Sequence, residues 1–373
     1  MLPAAPKTLG RLSDVFVSAL GSITGKENRL GFSPVNRACV ILVDGLGSEN
    51  LRAAGGHAPF LNSALKASKS INTVFPSTTA SAITSFGTGL KPAQHGILGY
   101  SIFDREAAVV RNMLTGWNED ANPQEYQPHP TVATQATSAG VQTYTVGPGE
   151  YEATGFTALN MRGSKYLAAK TFEDRVVETR RLLNAKSKSL TYLYFPELDS
   201  TAHAFGVEST EWLNKLEELD FAVRTLTADL PPDAGVALTA DHGIVDVSRE
   251  SQILLDEFDL PGLISVSGDP RNSFLYFDSE TAVTAAIETL SGPLEGKCLI
   301  ATAAEVIEKG WLGSHEVSNS RFLPDLYVIS TGNFACYHRG FAKPQSLRMI
   351  GQHGGISTAE LSVPLLKFGG YRG

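Results

Sequence analysis

Three stretches of the 373-residue chain read as a buried strand that runs into an aspartate: ACVILVDGLG at 38–47, SLTYLYFPELD at 189–199 and GVALTADHG at 235–243. An unbroken aliphatic run, without polar alternation, marks a strand covered on both faces, as in a parallel sheet. Helical patterns lie between these runs. Residues 131–145 read as a helix followed by a strand ending VQTYTVGP, 170–188 as a helix, and Glu208–Leu230 as a long amphipathic helix. Strands alternating with helices predict an open α/β sheet, and such sheets place their sites beyond the carboxyl ends of the strands. Asp44, Asp199 and Asp241 are therefore expected to converge in one cleft. Taken singly, each has a plainer explanation as a turn residue or helix cap.

Their neighbours favour convergence. Asp199 and His203 are four residues apart in ELDSTAHAFG, so one helical turn puts carboxylate and imidazole on the same face. His242 follows Asp241 directly at a strand end. His353 sits among glycines in GQHGG, where the backbone can approach a site closely. With Asp44 these make six nitrogen and oxygen ligands, the number two zinc-like ions require when a hydroxyl completes one shell and water or substrate the other. Calcium does not account for the histidines, and neither does an all-carboxylate magnesium site.

Residues 73–90, TVFPSTTASAITSFGTGL, gather hydroxyls directly after an apolar strand candidate, Ile71–Phe75, and a proline. A hydroxyl between two cations becomes a nucleophile for in-line attack at phosphorus. At the amino end of a helix it would also have free N–H groups facing phosphoryl oxygens. Ser77, Thr78, Thr79 and Ser81 are all candidates, and all could instead be caps.

The formal charge of −8 comes with scattered rather than clustered Lys and Arg, which argues against long DNA or RNA as a partner. The sequence shows neither an apolar run of membrane-spanning length nor a leader pattern, so no membrane partner and a cytoplasmic address are expected. Cys39, Cys298 and Cys336 are odd in number and set among apolar residues, which reads as core thiols in a reducing compartment. The first thirty residues are weakly patterned and predict a peripheral helix and loop. Between Ile244 and Ile350, RNSFLYF, TAVTAAIETL and FLPDLYVIS predict a small α/β insert overlooking the site. Arg271, Arg321 and His338 are candidate anion contacts there, with surface or turn positions the plainer reading of each; Tyr100, Phe103, Tyr151 and Phe205 could cover a base or an apolar alcohol, or be core and rim residues.

VDGLG, FPSTT with TGLKPAQHG, ELDSTAHAFG, ADHG and QHGG occur in the order and approximate spacing found in one family. The chain resembles the nucleotide pyrophosphatase/phosphodiesterase branch of the alkaline phosphatase superfamily, over residues 38–245 and again at 351–355. The resemblance implies an alkaline-phosphatase-like, mostly parallel sheet sandwiched by helices, with a small α/β cap. Residues 1–243 and 351–373 would form the core, and 244–350 the insert with some returning core elements. It also implies two Zn2+ per chain, with Mn2+ or another divalent ion as a substitute, and a threonine nucleophile in the pattern Phe-Pro-x-x-Thr, which selects Thr79. Asp44, Asp241 and His242 would hold one ion together with Thr79; Asp199, His203 and His353 would hold the other. The expected reaction is hydrolysis of a small phosphate ester or nucleotide through a phosphothreonine. One position departs from the pattern: the family's asparagine three residues after the nucleophile is Ala82, which weakens the expectation of a diester over a monoester or phosphonate. His95 is expected to hold its loop.

Overall fold

The computed structural model describes residues 1–372 apart from 9, 118–120 and 315. Its main sheet has six strands in the order 366–369, 234–240, 37–43, 189–195, 142–147, 165–168. All pair in parallel except the edge strand 366–369, which runs antiparallel to 234–240. The central strand Arg37–Val43 is buried at all seven positions. One group of helices (13–24, 79–88 and 132–138) and a second (59–66, 172–183 and 210–227) enclose the sheet. This is the layered solution that a two-sided apolar strand demands.

Register positions the site. Arg37 is level with both Ser189 and Ala234, so Val43, Phe195 and Ala240 end at the same height. Asp44 and Asp241 are the next residues of their chains. Asp199 comes later than the sequence pattern indicates: its strand stops at Phe195, and the acid lies in the first turn of the helix Glu197–Phe205. Gly45 has φ +75°, and a Cβ there would stand 2.6 Å from Ile244 Cδ1 and 3.1 Å from Asp199 Cα. The turn after Asp44 thus brings its backbone against the neighbouring ligand segment.

The amino-terminal helix Ser13–Thr24 is not peripheral. Val15, Phe16, Ala19 and Ile23 are buried in the main core, and Phe16 stacks on Phe86 with ring centroids 4.7 Å apart. Its pattern is obscured because three serines and a glycine are also buried on it. The strand expected over 71–75 is limited to Ile71–Asn72, paired with Ser362–Val363. Thr73 already directs its N–H to Leu361 O.

Within the insert, strands 263–269, 272–277, 326–330 and 298–302 form an antiparallel sheet. Leu290 and Ala286 of the helix Glu280–Ser291 pack with Val266, Leu275 and Val328 in a cluster of their own. Phe274, Tyr276 and Tyr327 face the other way, toward Phe75, Ile97 and Phe103. Phe75, near the start of the hydroxyl-rich stretch, is held between Trp311 (5.4 Å) and Tyr327 (6.1 Å).

Candidate metal centre

Two triads stand at the carboxyl end of the sheet. Asp44, Asp241 and His242 present ligand atoms within 4.8 Å of one another, and so do Asp199, His203 and His353. In the first, His242 Nε2 lies 3.4 Å from Asp44 Oδ1 and 3.5 Å from Asp241 Oδ2. In the second, Asp199 Oδ2 lies 3.3 Å from His203 Nε2, across one helical turn, and Asp199 Oδ1 lies 3.8 Å from His353 Nε2. Rings of His242 and His353 stack at 3.7 Å, so the triads adjoin.

Each imidazole is oriented by the backbone. His203 Nδ1 bonds Gly351 O at 2.7 Å, His353 Nδ1 bonds Ser77 O at 3.0 Å, and His242 Nδ1 faces Gly243 O at 3.3 Å. A carbonyl only accepts, so Nδ1 carries the proton and Nε2 is left as a donor atom aimed into the triad. The carboxylates are prepared in the same way. Tyr194 Oη donates to Asp44 Oδ2 at 2.5 Å, while the N–H groups of Gly45 and His242 donate to Asp241 Oδ1 at 3.1 and 3.0 Å. Asp44 Oδ1, Asp241 Oδ2 and Asp199 Oδ1 remain buried with no hydrogen-bond partner among the described residues. Such oxygens are costly unless a cation meets them. Donor type and orphaned oxygens both fit two divalent ions of the zinc kind.

Electrostatics follow from this crowding. Burial, then the charges of Asp241 and Asp199, pushes the Asp44 carboxyl well above its ordinary value. Burial also raises Asp241, with Asp199 adding to the effect. Burial opposes charge on Asp199 too, yet His203 and His353 pull it below the usual carboxylate range. Burial opposes charge on His203, but Asp199 prevails and pushes it up to about 9. Burial and His242 hold His353 well below the ordinary histidine value. A divalent cation displaces protons from all of these groups, because ligands bind deprotonated.

The hydroxyls of residues 77–88 separate by partner. Ser77 Oγ donates to Gly355 O, Ser81 Oγ to Ile97 O and Thr84 Oγ1 to Ala80 O. Thr78 is fully buried, and its hydroxyl lies toward Asp269. Thr79 Oγ1 alone stands 3.1 Å from His242 Nε2. Thr79 is also the first residue of the helix Thr79–Thr88, so the N–H groups of Ala80 and Ser81 have no helical acceptor. Ala82 points into the apolar core, with its N–H on Thr78 O, and neither Ser81 nor Thr84 has a free hydroxyl to replace an asparagine there.

One cavity reaches the triads, and a second lies beside Asp269 without touching a triad residue. One, of about 490 Å3, is lined by Asp44, Thr79 and Asp199 together with Tyr151, Phe156, Tyr166 and Tyr194. The other, of about 770 Å3, is lined by Tyr100, Asp269, His338 and Phe341. A larger groove of about 950 Å3, among Lys7, Arg29, Lys69 and Lys367, touches no triad residue, so size alone does not mark the site here. Arg271 is fully buried against Glu360 and Arg321 pairs with Glu106, which removes both as anion contacts; His338 does reach a cavity wall. Phe103 packs on Tyr276 and Phe205 is exposed, whereas Tyr100 and Tyr151 line these two cavities. His95 is buried, bonded to Ser85 Oγ (2.8 Å) and to the Ile97 N–H (3.1 Å). Sequence reasoning missed Tyr194, Tyr166 and Asp269. Tyr194 was within reach, as the outward-alternating tyrosine near the end of YLYF.

A mostly parallel α/β sheet with two adjoining mixed-ligand triads at its carboxyl edge offers ligand sets for two divalent metal ions. Residues 38–355 match the family described as Type I phosphodiesterase / nucleotide pyrophosphatase, and the chain belongs to that family, within the alkaline phosphatase superfamily. Human ectonucleotide pyrophosphatase/phosphodiesterase family member 1 is 26% identical over 229 residues, which is 58% of this chain and 24% of that protein. A venom phosphodiesterase, CdcPDE, of Crotalus durissus collilineatus is 27% identical over 257 residues, 62% of this chain and 29% of its own. The chain thus spans about a quarter of these relatives. The structure of murine ectonucleotide pyrophosphatase/phosphodiesterase 5 superposes with a TM-score of 0.67 at 19% identity, covering 89% of this chain and 87% of that one. The same protein is also known as an inactive threonine-to-alanine variant in complex with AMP.

These names overturn the cytoplasmic address expected from the sequence, since the relatives are ecto-enzymes and venom proteins. Net charge and buried thiols constrain surface and core, and neither fixes the compartment. Among the described residues no helix is long and apolar enough to cross a membrane.

Proposed function

We propose that this chain is a zinc-dependent phosphodiesterase of the nucleotide pyrophosphatase type, with Thr79 as its nucleophile. The observation that carries the reading is the position of Thr79 Oγ1, 3.1 Å from a histidine of one triad, on a residue that lines the 490 Å3 cavity. Asp44, Asp241 and His242 would hold one ion and Asp199, His203 and His353 the other. When bound, the ions supply Lewis acidity, lowering hydroxyl and water pKa and neutralising charge on phosphoryl oxygens.

The chain's own groups do the rest. Thr79 Oγ forms a bond to phosphorus as the bond to the leaving oxygen breaks, giving a phosphothreonine; water then adds to phosphorus and frees Thr79, with net retention. The N–H groups of Ala80 and Ser81 are suited to the non-bridging oxygens. Tyr194 and the carbonyls of Ser77 and Gly351 keep the ligands aimed. Tyr151, Phe156 and Tyr166 would cover a flat or apolar group on the substrate. The murine neighbour's AMP complex and threonine variant support the same assignment by analogy.

A second reading, a monoesterase or phosphonate hydrolase, is favoured by Ala82, which cannot bond a phosphoryl oxygen from the core. Hydrolysis of bis(4-nitrophenyl) phosphate and 4-nitrophenyl phosphate by zinc-loaded protein separates the two. A diester rate far above the monoester rate, lost roughly 10³-fold or more in Thr79→Ala, supports the first reading. The opposite ratio supports the second, and activity surviving in Thr79→Ala removes Thr79 as nucleophile.

A further inference from the structure

Cys298 opens the strand 298–302 at the edge of the insert's sheet, and Cys336 lies in the short strand Ala335–Tyr337. Their sulfurs are 3.4 Å apart, both buried in the insert's own apolar cluster. The third cysteine, Cys39, lies in the central strand of the main sheet, in a separate core. We propose that Cys298 and Cys336 are a disulfide-forming pair, closed by thiol–disulfide exchange with a small disulfide. The inference is independent of the reaction assigned to the triads.

Geometry carries it. A disulfide needs its sulfurs at about 2.05 Å, so the two have about 1.4 Å to close. Two thiols in van der Waals contact inside a packed core gain little from each other as thiols, since S–H is a weak donor. Ser330 lies beside both, with its hydroxyl 3.9 Å from Cys298 Sγ and 3.7 Å from Cys336 Sγ. It can stabilise a thiolate. Contact with Cys336 lowers the Cys298 thiol against the opposing effect of burial, and the same contact together with burial raises Cys336. Cys336 is only 2% exposed, but it belongs to the wall of the 770 Å3 cavity, which is the nearest approach for a disulfide reagent.

The chemistry balances. One thiolate attacks a sulfur of oxidised glutathione and expels a glutathione thiolate. The second cysteine attacks the resulting mixed disulfide and expels the other. Two cysteine protons end on two glutathione thiols, and two electrons pass from the protein to the reagent. The bond would span 38 residues and tie the sheet edge to the strand that carries Tyr337 and His338 to the cavity wall. The names of the relatives as ecto-enzymes place such proteins where disulfides persist.

The test uses the full chain, incubated with oxidised or reduced glutathione, then alkylated in denaturant and mapped by mass spectrometry. The expected result is three alkylated cysteines after reduction and one, Cys39, after oxidation, with peptides containing Cys298 and Cys336 linked. The oxidised protein should also melt about 5 °C higher, a gain absent from Cys298→Ser and kept by Cys39→Ser. Three alkylatable thiols after oxidation, a stable glutathione adduct on Cys336 with Cys298 still free, or a link to Cys39 would each overturn the proposal.

Discussion

His242 and His353 lie face to face, with ring centroids 3.7 Å apart and planes 19° from parallel, and each belongs to a different triad. One comes from the end of a core strand and the other from the loop that follows the insert. The two ion sites therefore share a wall, and the position of one imidazole depends on the other.

Metal loading should reflect that shared wall. Dialysis against zinc followed by elemental analysis should give two ions per chain, and chelation should lower the melting temperature, since ions at 100 times their Kd contribute about 2.7 kcal/mol. His353→Ala should lose one ion outright and weaken the other. A variant that keeps its remaining ion at full affinity would show the triads to be independent.

Tyr194→Phe removes only the hydroxyl that donates to Asp44 Oδ2. Loss of such a supporting bond should weaken the ion held by Asp44, Asp241 and His242 by about 10-fold or more, with little change in fold, because the ring still packs against Tyr151 and Tyr192. Competition with a chromophoric chelator measures it; unchanged affinity sinks the supporting role.

Arg271 and Glu360 are both fully buried, with Arg271 Nε 2.7 Å from Glu360 Oε1, while the same carboxylate accepts from the Gly355 N–H at 2.8 Å. Arg271 thus anchors the GQHGG loop to the insert. Arg271→Met strands a buried charge and should lower stability by about 3–5 kcal/mol. Chemical denaturation reads this directly, and a loss below 1 kcal/mol would mean that the carboxylate finds solvent.

Acid should act through His95. Burial, with His129 contributing, holds its pKa down to about 3 against an unfolded value of 6.5. The unfolded chain then binds the proton and the folded chain does not, so stability falls as pH drops from about 6.5 toward 3. Between pH 7 and 5 the loss from this group is about 2 kcal/mol. In His95→Gln that increment should vanish from the pH dependence of the unfolding free energy; an identical slope would show that His95 does not titrate this way.

Much of the architecture was legible because it depends on chemistry that is local in sequence. Short unbroken aliphatic runs rich in β-branched residues favour central strands, and the i, i+4 pair Asp199 and His203 needs only one helical turn. The packing of the helix Ser13–Thr24 is hidden in the sequence, because buried serines interrupt its apolar face. Arg271 was misjudged because its partner Glu360 is distant in sequence, and burial of a charge cannot be read without the partner.

The sequence by itself determined the strand-and-aspartate pattern, the ligand types and the order of the motifs, since these follow from composition and periodicity along the chain. Tertiary structure decided which hydroxyl faces a histidine, that Ala82 turns into the core, that His242 stacks on His353, and that Cys298 meets Cys336. Each of these is a distance between residues held by separate elements. Register and packing set such distances, and no local pattern encodes them.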